Sequence, residues 1–430
     1  MRIMGYNNQT MLQNFSRTSK SIAVGSAKFF VPTIGKSKVK LQTSEKSVAI
    51  LIPTHIPTMD TYNLIHSIKG WHQDVLIVVI DDCTPLTPNN QKVINKIAKL
   101  ADQHTNIAYL RTPTNALKAG ALNYGIQYLK NLAVKPNVVF TFDDDVVINK
   151  ETIPVLTRTL YEETGIGAVC SQVRVKNKDK NFLTRLQALE YHGFNITKIS
   201  DNNYLYGPLV MQGMLTAFRM SALEEVNGFT HGHLIEDYDI TARLKAKGWR
   251  VKIAQDAFAW TTVPEDIEHL WKQRVRWTSG GLHVLKEFWK NAPVVYQDLI
   301  GHALFVSLLV LIGISFLFLS NKTQDSALAT TLLIVSLFNF VVAFSFNLYT
   351  LTIYPQRDKR DIALKLTILP ELIYSNVLSL ILIGSYLFFL YQSLPTKLLR
   401  RFGLMHRTYR GGLSGFNKFG FSTTWGTKKS

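Results

Sequence analysis

Cysteine is nearly missing from this 430-residue chain. Cys83 and Cys170 stand far apart and form no C-x-x-C pair, which argues against a disulfide framework or a cysteine zinc site and suits a reducing compartment. Acidic residues are nearly missing from the two ends. Residues 1–47 hold eight Lys/Arg against the single acid Glu45, and residues 393–430 hold eight Lys/Arg and no acid, so the ends carry +7 and +8 of the +18 net charge. Glycine-rich phosphate loops are missing too. No G-x-x-x-x-G-K-[ST] occurs and no G-x-G-x-x-G opens a helix after a strand, so a P-loop kinase and a dinucleotide-dependent dehydrogenase are poor fits. The first 47 residues contain no signal-peptide or membrane-span run. They are expected to form a basic, disordered or surface-binding arm.

What the chain does contain is an alternation of two periods. Val48–Pro53 is a short apolar run closed by proline. Val75–Ile80 runs directly into Asp81-Asp82, Ile107–Leu110 is a third run, and Val138–Phe142 ends in Asp143-Asp144-Asp145. Between them, Met59–Ile68, Gln91–Ala101 and Ala116–Leu129 carry apolar residues at helical spacing. This pattern predicts an α/β domain with a mostly parallel sheet and helices on both faces. Such sheets bind ligands beyond the carboxyl ends of their strands, and two strands here deliver carboxylates to that edge. Ile166–Ser171, Val210–Phe218 and Val251–Trp260 read as further strands, and Phe182–Tyr191 as a helix.

The second half changes character. Ile267–Trp289 reads as an amphipathic helix that would lie along a membrane surface. Leu299–Leu319, Ala327–Tyr354 and Leu366–Tyr391 contain no Lys or Arg and reach the roughly 20 residues needed to cross about 30 Å of hydrocarbon. The expected domains are therefore a basic arm (1–47), a cytosolic catalytic-type domain (48–264), interfacial helices (265–298), a membrane domain (299–392) and a basic tail (393–430). Basic ends on such a protein fit anionic lipid head groups on the cytoplasmic side, and nucleic acid is not expected as a partner.

Hard carboxylate oxygens beyond a parallel sheet suit Mg²⁺ or Mn²⁺, which keep positions open for a ligand's phosphates. Glu236-Asp237 and Asp239 open a helix, where acids also serve as plain caps. Gln273, Arg276 and Trp277 share a helical face; a snorkelling Arg beside an interfacial Trp would look the same.

As an ordered set, Asp81-Asp82, Asp143-x-Asp145, Glu236-Asp237 and Gln273-x-x-Arg276-Trp277 resemble the processive family-2 inverting glycosyltransferases. That group includes cellulose, chitin, hyaluronan and poly-N-acetylglucosamine synthases. The resemblance covers residues 48–290 and is extended by Asn115-x-x-Lys118, the stretch 181–186, Gly213 and Phe218-Arg219. Trp425-Gly426-Thr427-Lys428 resembles the gating element of hyaluronan and chitin synthases.

The resemblance implies a GT-A-like fold and a set of roles. Asp81 and Asp82 would hold the uridine and ribose. Asp143 and Asp145 would position ribose and diphosphate, with Asp145, helped by Asp143, holding Mg²⁺ or Mn²⁺. Asp237 would be the general base, Lys118 and Arg276 would neutralise the departing UDP, and Gln273, Trp277, Gly213 and Glu236 would meet the acceptor. The implied protein is a multi-pass plasma-membrane enzyme with a cytosolic catalytic domain. It would polymerise a β-linked polysaccharide from a UDP-sugar, UDP-N-acetylglucosamine by preference, alone or with UDP-glucuronate. The competing readings are a transferase that adds one sugar to a lipid or short acceptor, and a non-enzymatic membrane transporter or scaffold.

Some positions depart from the family pattern. Residues 52–57, Ile-Pro-Thr-His-Ile-Pro, replace Pro-x-Tyr-Asn-Glu; Cys83 replaces a Gly and Ile235 a Thr. With no N-terminal span expected, a secretion channel would call for self-association or a helper membrane subunit. Three simple crossings would also strand the Trp425 motif outside the cell, so residues 361–392, with Pro370 and Gly384, are expected to follow a re-entrant or interfacial path.

Overall fold

The computed structural model describes residues 47–203, 206–320, 326–393 and 403–421. The strands and helices β1 (Val48–Thr54), α1 (Met59–Trp71), β2 (Leu76–Asp81), α2 (Pro88–Gln103), β3 (Ile107–Arg111), α3 (Leu117–Lys130) and β4 (Val138–Phe142) alternate as their hydrophobic periods predict. Then come β5 (Val147–Ile148), α4 (Thr152–Leu160), β6 (Ile166–Val175), α5 (Phe182–Asp201), β7 (Leu215–Arg219), α6 (Met220–Glu225), α7 (Glu236–Ala246) and β8 (Arg250–Thr261). They form one eight-stranded sheet in the order β3-β2-β1-β4-β7-β6-β8-β5.

Strands β3, β2, β1 and β4 are parallel, whereas β4–β7, β6–β7 and β5–β8 pair antiparallel. The sheet is thus mixed rather than parallel throughout. Successive residues of β1 divide between two cores: Ile50 and Ile52 face one, Ala49 and Leu51 the other. Burial on both faces explains the unbroken apolar runs. The antiparallel β7 has a consequence for the edge. It starts where β4 ends, Leu215 opposite Phe142, so the loop before it reaches the acidic strand ends.

Two elements run differently from their sequence pattern. The strand expected over Val210–Phe218 begins only at Leu215, because residues 209–214 turn into the site. The helix expected over Phe182–Tyr191 continues to Asp201. Its polar second half blurs the period, yet those residues are paired: Asn195 accepts from Val173 N at 3.1 Å and donates to Val173 O at 2.7 Å.

Beyond the sheet lie α8 (Ile267–Phe288), α9 (Ala292–Ser320), α10 (Ser326–Thr352), α11 (Lys359–Leu366), α12 (Leu369–Gln392) and α13 (Gly403–Lys418). Among the described residues, Ala292–Gly313, Leu333–Thr352 and Leu369–Gln392 are long and apolar enough to cross a membrane. The third apolar segment breaks between α11 and α12, at Ile368 with φ 58°. Pro370 and Gly384 do not interrupt it, because Pro370 sits in the first turn, where a helix tolerates it. The helix α12 lies lengthwise on α8. Tyr374 meets Arg274, and Ser385 meets Thr278 at 2.6 Å.

A buried ion cluster docks this region on the sheet domain. Asp361, wholly buried in α11, pairs with Lys178 at 2.6 Å and Arg185 at 2.8 Å; Arg185 also binds Asp358 at 2.6 Å. Removing one partner of such a cluster leaves buried charge uncompensated. Asp361→Asn is therefore expected to cost about 3–5 kcal/mol, read as a lowered unfolding midpoint in detergent. Lys272→Ala, which loses only a surface pair with Glu268, should leave the midpoint nearly unchanged. An unshifted midpoint for Asp361→Asn would remove the cluster from this account of docking.

Candidate active site

The carboxyl edge of the parallel strands gathers the predicted acids, but they are not equivalent. Asp81 and Asp82 are both buried. Asp81 Oδ1 accepts from Thr84 N at 2.9 Å; its Oδ2 accepts from Tyr109 Oη at 2.7 Å and pairs with Arg111. Arg111 in turn donates to Thr84 O at 2.6 Å. Asp81 is thus committed to shaping the edge. Asp82 Oδ1 accepts from Ala116 N at 2.7 Å and Thr112 Oγ1 at 3.0 Å, which fixes the start of α3.

That start is unusual. Leu117, a non-glycine residue, has φ 58°, and this left-handed turn sets the root of Lys118. Lys118 Nζ binds Asp143 Oδ1 at 2.6 Å, Glu236 Oε1 at 2.8 Å and Gly213 O at 3.1 Å. One ammonium therefore joins α3, the end of β4, the start of α7 and the loop before β7. Burial would lower the Lys118 pKa, but the Asp143 and Glu236 carboxylates outweigh it and hold the amine above its ordinary value.

The three acids after β4 divide. Asp143 serves Lys118. Asp144 turns inward, accepting from Thr54 Oγ1 and, at 3.5 Å, from Thr61 Oγ1; burial and its two acidic neighbours push it up to about 6 despite the Thr54 bond. Asp145 reaches solvent, and partial burial of its carboxylate with the Asp143 charge pushes it upward.

Glu236 and Asp237 open α7 and are driven apart electrostatically. Burial pushes Glu236 up, but Lys118 overcomes this and leaves it below its ordinary value. Burial and the Glu236 charge push Asp237 up, against Lys118, Lys198 and Arg276. Asp237 Oδ1 accepts from Tyr238 N at 2.9 Å. Gly213 packs directly on this carboxylate; a Cβ there would stand 2.8 Å from Asp237 Oδ2. Only glycine allows that approach.

Gln273, Arg276 and Trp277 share the α8 face that borders a cavity of about 450 Å³, lined also by Lys118, Asp143, Gly213, Glu236 and Asp237. Arg276 Nη1 donates to Leu234 O at 3.4 Å, tying α8 to the loop ahead of Asp237. Pattern reading missed Arg274. It is buried, pairs with Glu190 at 2.5 Å and lies 4.2 Å over the Trp277 ring, so it holds the indole in place.

The cavity also reaches Asp298, His302 and Leu382 on the apolar helices. Tyr238 Oη donates to Asp298 Oδ2 at 2.8 Å, and His302 Nε2 lies 3.3 Å from Asp298 Oδ1. These two were missed as well. Ionisable residues in or beside an apolar segment were the available signal. The Trp425-Gly426-Thr427-Lys428 motif lies outside the described residues.

Comparison with known proteins bears on the family and the fold. The chain is 29% identical over 210 residues to a poly-β-1,6-N-acetyl-D-glucosamine synthase of Staphylococcus aureus, covering 49% of this chain and 48% of that one. To the Staphylococcus epidermidis protein of the same name it is 30% identical over 217 residues, 50% of each. The chain thus spans about half the length of the curated relatives it matches. Among solved structures, a mannosyltransferase from Pyrobaculum calidifontis in complex with GDP-Man and Mn²⁺ superposes with a TM-score of 0.53 at 16% identity, covering 79% of this chain and 94% of that chain. This supports the expected GT-A-like fold. The family described as glycosyltransferase-like family 2 matches residues 63–280, half the chain, and the protein belongs to that family.

Proposed function

We propose that this protein is a membrane-embedded, inverting, processive glycosyltransferase that polymerises N-acetylglucosamine from its UDP-sugar, with the catalytic domain cytosolic. The observation that carries this is the cavity. It joins a half-buried carboxylate of raised pKa, Asp237, to a cationic wall, an indole and the polar start of an apolar helix. The relatives named for a poly-N-acetylglucosamine product support the donor.

Asp237 accepts the proton of the acceptor hydroxyl as its oxygen attacks the anomeric carbon; the C–O bond to UDP breaks, and UDP leaves with the electron pair. The leaving diphosphate needs charge neutralisation rather than a protonating acid, and Lys118 and Arg276 stand on that cationic wall. Asp82 and the edge shaped by Asp81 hold the nucleoside. The donor set fits a divalent metal, because Asp145 offers hard oxygen at the solvent edge and Asp143 stands beside it. When bound, Mg²⁺ or Mn²⁺ would be held by Asp145 and Asp143 and would offset diphosphate charge. Trp277, backed by Arg274, presents its ring to the terminal sugar, with Gln273, Gly213 and Glu236 around it. The basic tail, with Trp425-Gly426-Thr427-Lys428 as gate, and anionic lipid, a helper subunit or a second copy complete this reading.

Membranes carrying the protein, given each labelled UDP-sugar singly and in pairs, test it. A long product made from UDP-N-acetylglucosamine alone, cut by a β-1,6-specific hydrolase, is expected. A need for UDP-glucuronate would shift the polymer class, addition of one sugar would remove processivity, and absence of UDP release would sink the enzyme reading.

Asp237→Asn should lower kcat by about 10²–10⁴ without lowering the unfolding midpoint, since it removes a like charge from beside Glu236. The pH dependence has a definite sign. A base with a raised pKa is deprotonated only above that value, so kcat falls as pH drops through it. Glu236→Gln removes the repulsion and should move this acid limb downward; an upward shift would contradict the assigned pair.

A further inference from the structure

Next to Asp237 lies a second group of donor atoms that the proposed reaction does not use. His233 Nε2 lies 3.8 Å from Asp239 Oδ1 and 3.6 Å from Glu287 Oε2, and the three donor atoms all fall within 4.8 Å of one another. Three segments supply them: the loop ahead of α7, the first turn of α7 and the last turn of α8. Asp239 is wholly buried. Its Oδ2 accepts from Arg243 Nε at 3.0 Å. Its Oδ1, the atom nearest His233, has no hydrogen-bond partner among the described residues. An orphaned buried carboxylate oxygen is costly and calls for an explanation.

Direct pairing does not supply one, because both His233 distances exceed hydrogen-bond length. A cation does. Metal–ligand bonds of about 2.0–2.2 Å put neighbouring ligands of a tetrahedral site roughly 3.3–3.6 Å apart. The two His233 spacings therefore need to close by only a few tenths of an ångström, and the Asp239 and Glu287 oxygens, within 4.8 Å of each other, would be drawn together by the exposed Glu287 side chain. One imidazole with two carboxylates is a borderline donor set, which suits Zn²⁺ or a similar transition cation better than Mg²⁺. Glu287, whose side chain is 51% exposed, leaves an entry path and room for water.

We propose that His233, Asp239 and Glu287 form a transition-metal site, separate from the carboxylates at the β4 edge, that fastens the loop ahead of the base to α8. The loop is already held at two neighbouring points. Arg276 reaches Leu234 O, and Gly280 packs so closely that a Cβ would stand 2.7 Å from Ile235 Cγ1. The cation adds a third attachment that responds to metal supply.

The test uses the full-length protein in detergent, stripped by a chelator and free of nucleotide. Co²⁺ titration should produce the visible absorption of four-coordinate, histidine-bound cobalt, saturating at about one equivalent. Zn²⁺ should raise the unfolding midpoint by mass action. His233→Ala and Glu287→Gln should abolish both signals and weaken Zn²⁺ binding by more than about 100-fold; Asp145→Asn should keep them. Glu287 lies on the exposed side of α8, so its variant keeps the core intact. Absence of the cobalt bands or the zinc shift in the unmodified protein overturns the site, as does their survival in either variant. Loss of both in Asp145→Asn would assign the cation to the β4 edge instead. Because no sugar nucleotide is present, the result is independent of the transferase reading.

Discussion

The site depends on one half-buried ammonium. Lys118 holds the end of β4, the loop at Gly213 and the first residue of α7 through Asp143, Gly213 O and Glu236. Without it, two carboxylates would face each other across a partly desolvated cavity, a costly arrangement. With it, the two neighbours Glu236 and Asp237 become chemically different. The acid in contact with Lys118 is held ionised, and the acid beside it is pushed towards the proton. Environments that push adjacent pKa values apart are how one site separates a structural charge from a working base. The left-handed turn at Leu117, anchored by the Ala116 N bond to Asp82, is what aims Lys118 at this point.

Much of this was legible in the sequence, for a local reason. Apolar runs ending in acids place carboxylates at a sheet edge whatever the rest of the chain does, so Asp81-Asp82 and Asp143–Asp145 could be located in advance. Individual roles could not, because the deciding partners are distant in sequence. Asp81 is absorbed by Tyr109 and Arg111, 28 and 30 residues away. Asp144 is absorbed by Thr54, 90 residues away. Arg274 looked like filler within the Gln273–Trp277 motif until Glu190, 84 residues earlier, was seen beside it. Strand direction was equally hidden: the alternation in β7 is the same whether it runs with β4 or against it, yet only the antiparallel choice brings Gly213 to Asp237.

Helix α8 is where soluble and apolar parts of the chain meet, and its contacts explain its composition. One side carries Arg274 into a buried pair with Glu190 beneath Tyr374 of α12. Another presents Gln273, Arg276 and Trp277 to the cavity. The small residues Gly280 and Gly281 admit Ile235 and the cavity wall. A helix read as amphipathic and interfacial is therefore also a structural axle, and the charges that suggested a lipid surface are partly spent inside the protein.

This bears on the odd number of apolar helices, three among the described residues. Counting crossings assumes that each long apolar helix traverses the bilayer independently. Yet α12 is pressed along α8, with His283 against Phe389 at a ring distance of 5.7 Å, and α8 continues directly from the sheet domain. After α13 the chain returns to the start of the same helix, where Trp271 Nε1 donates to Phe419 O at 2.7 Å and Phe421 packs on the Trp271 ring. The last described residues thus end against Trp271, two positions before Gln273, on the helix that borders the cavity. The packing of α12 along α8, and of Phe419 and Phe421 on Trp271, thus holds the described chain up to Phe421 beside the helix that carries Gln273, Arg276 and Trp277. On the proposed reading, Asp298 and His302, which line the same cavity as Asp237, would give a chain leaving the site polar groups rather than a uniformly apolar wall.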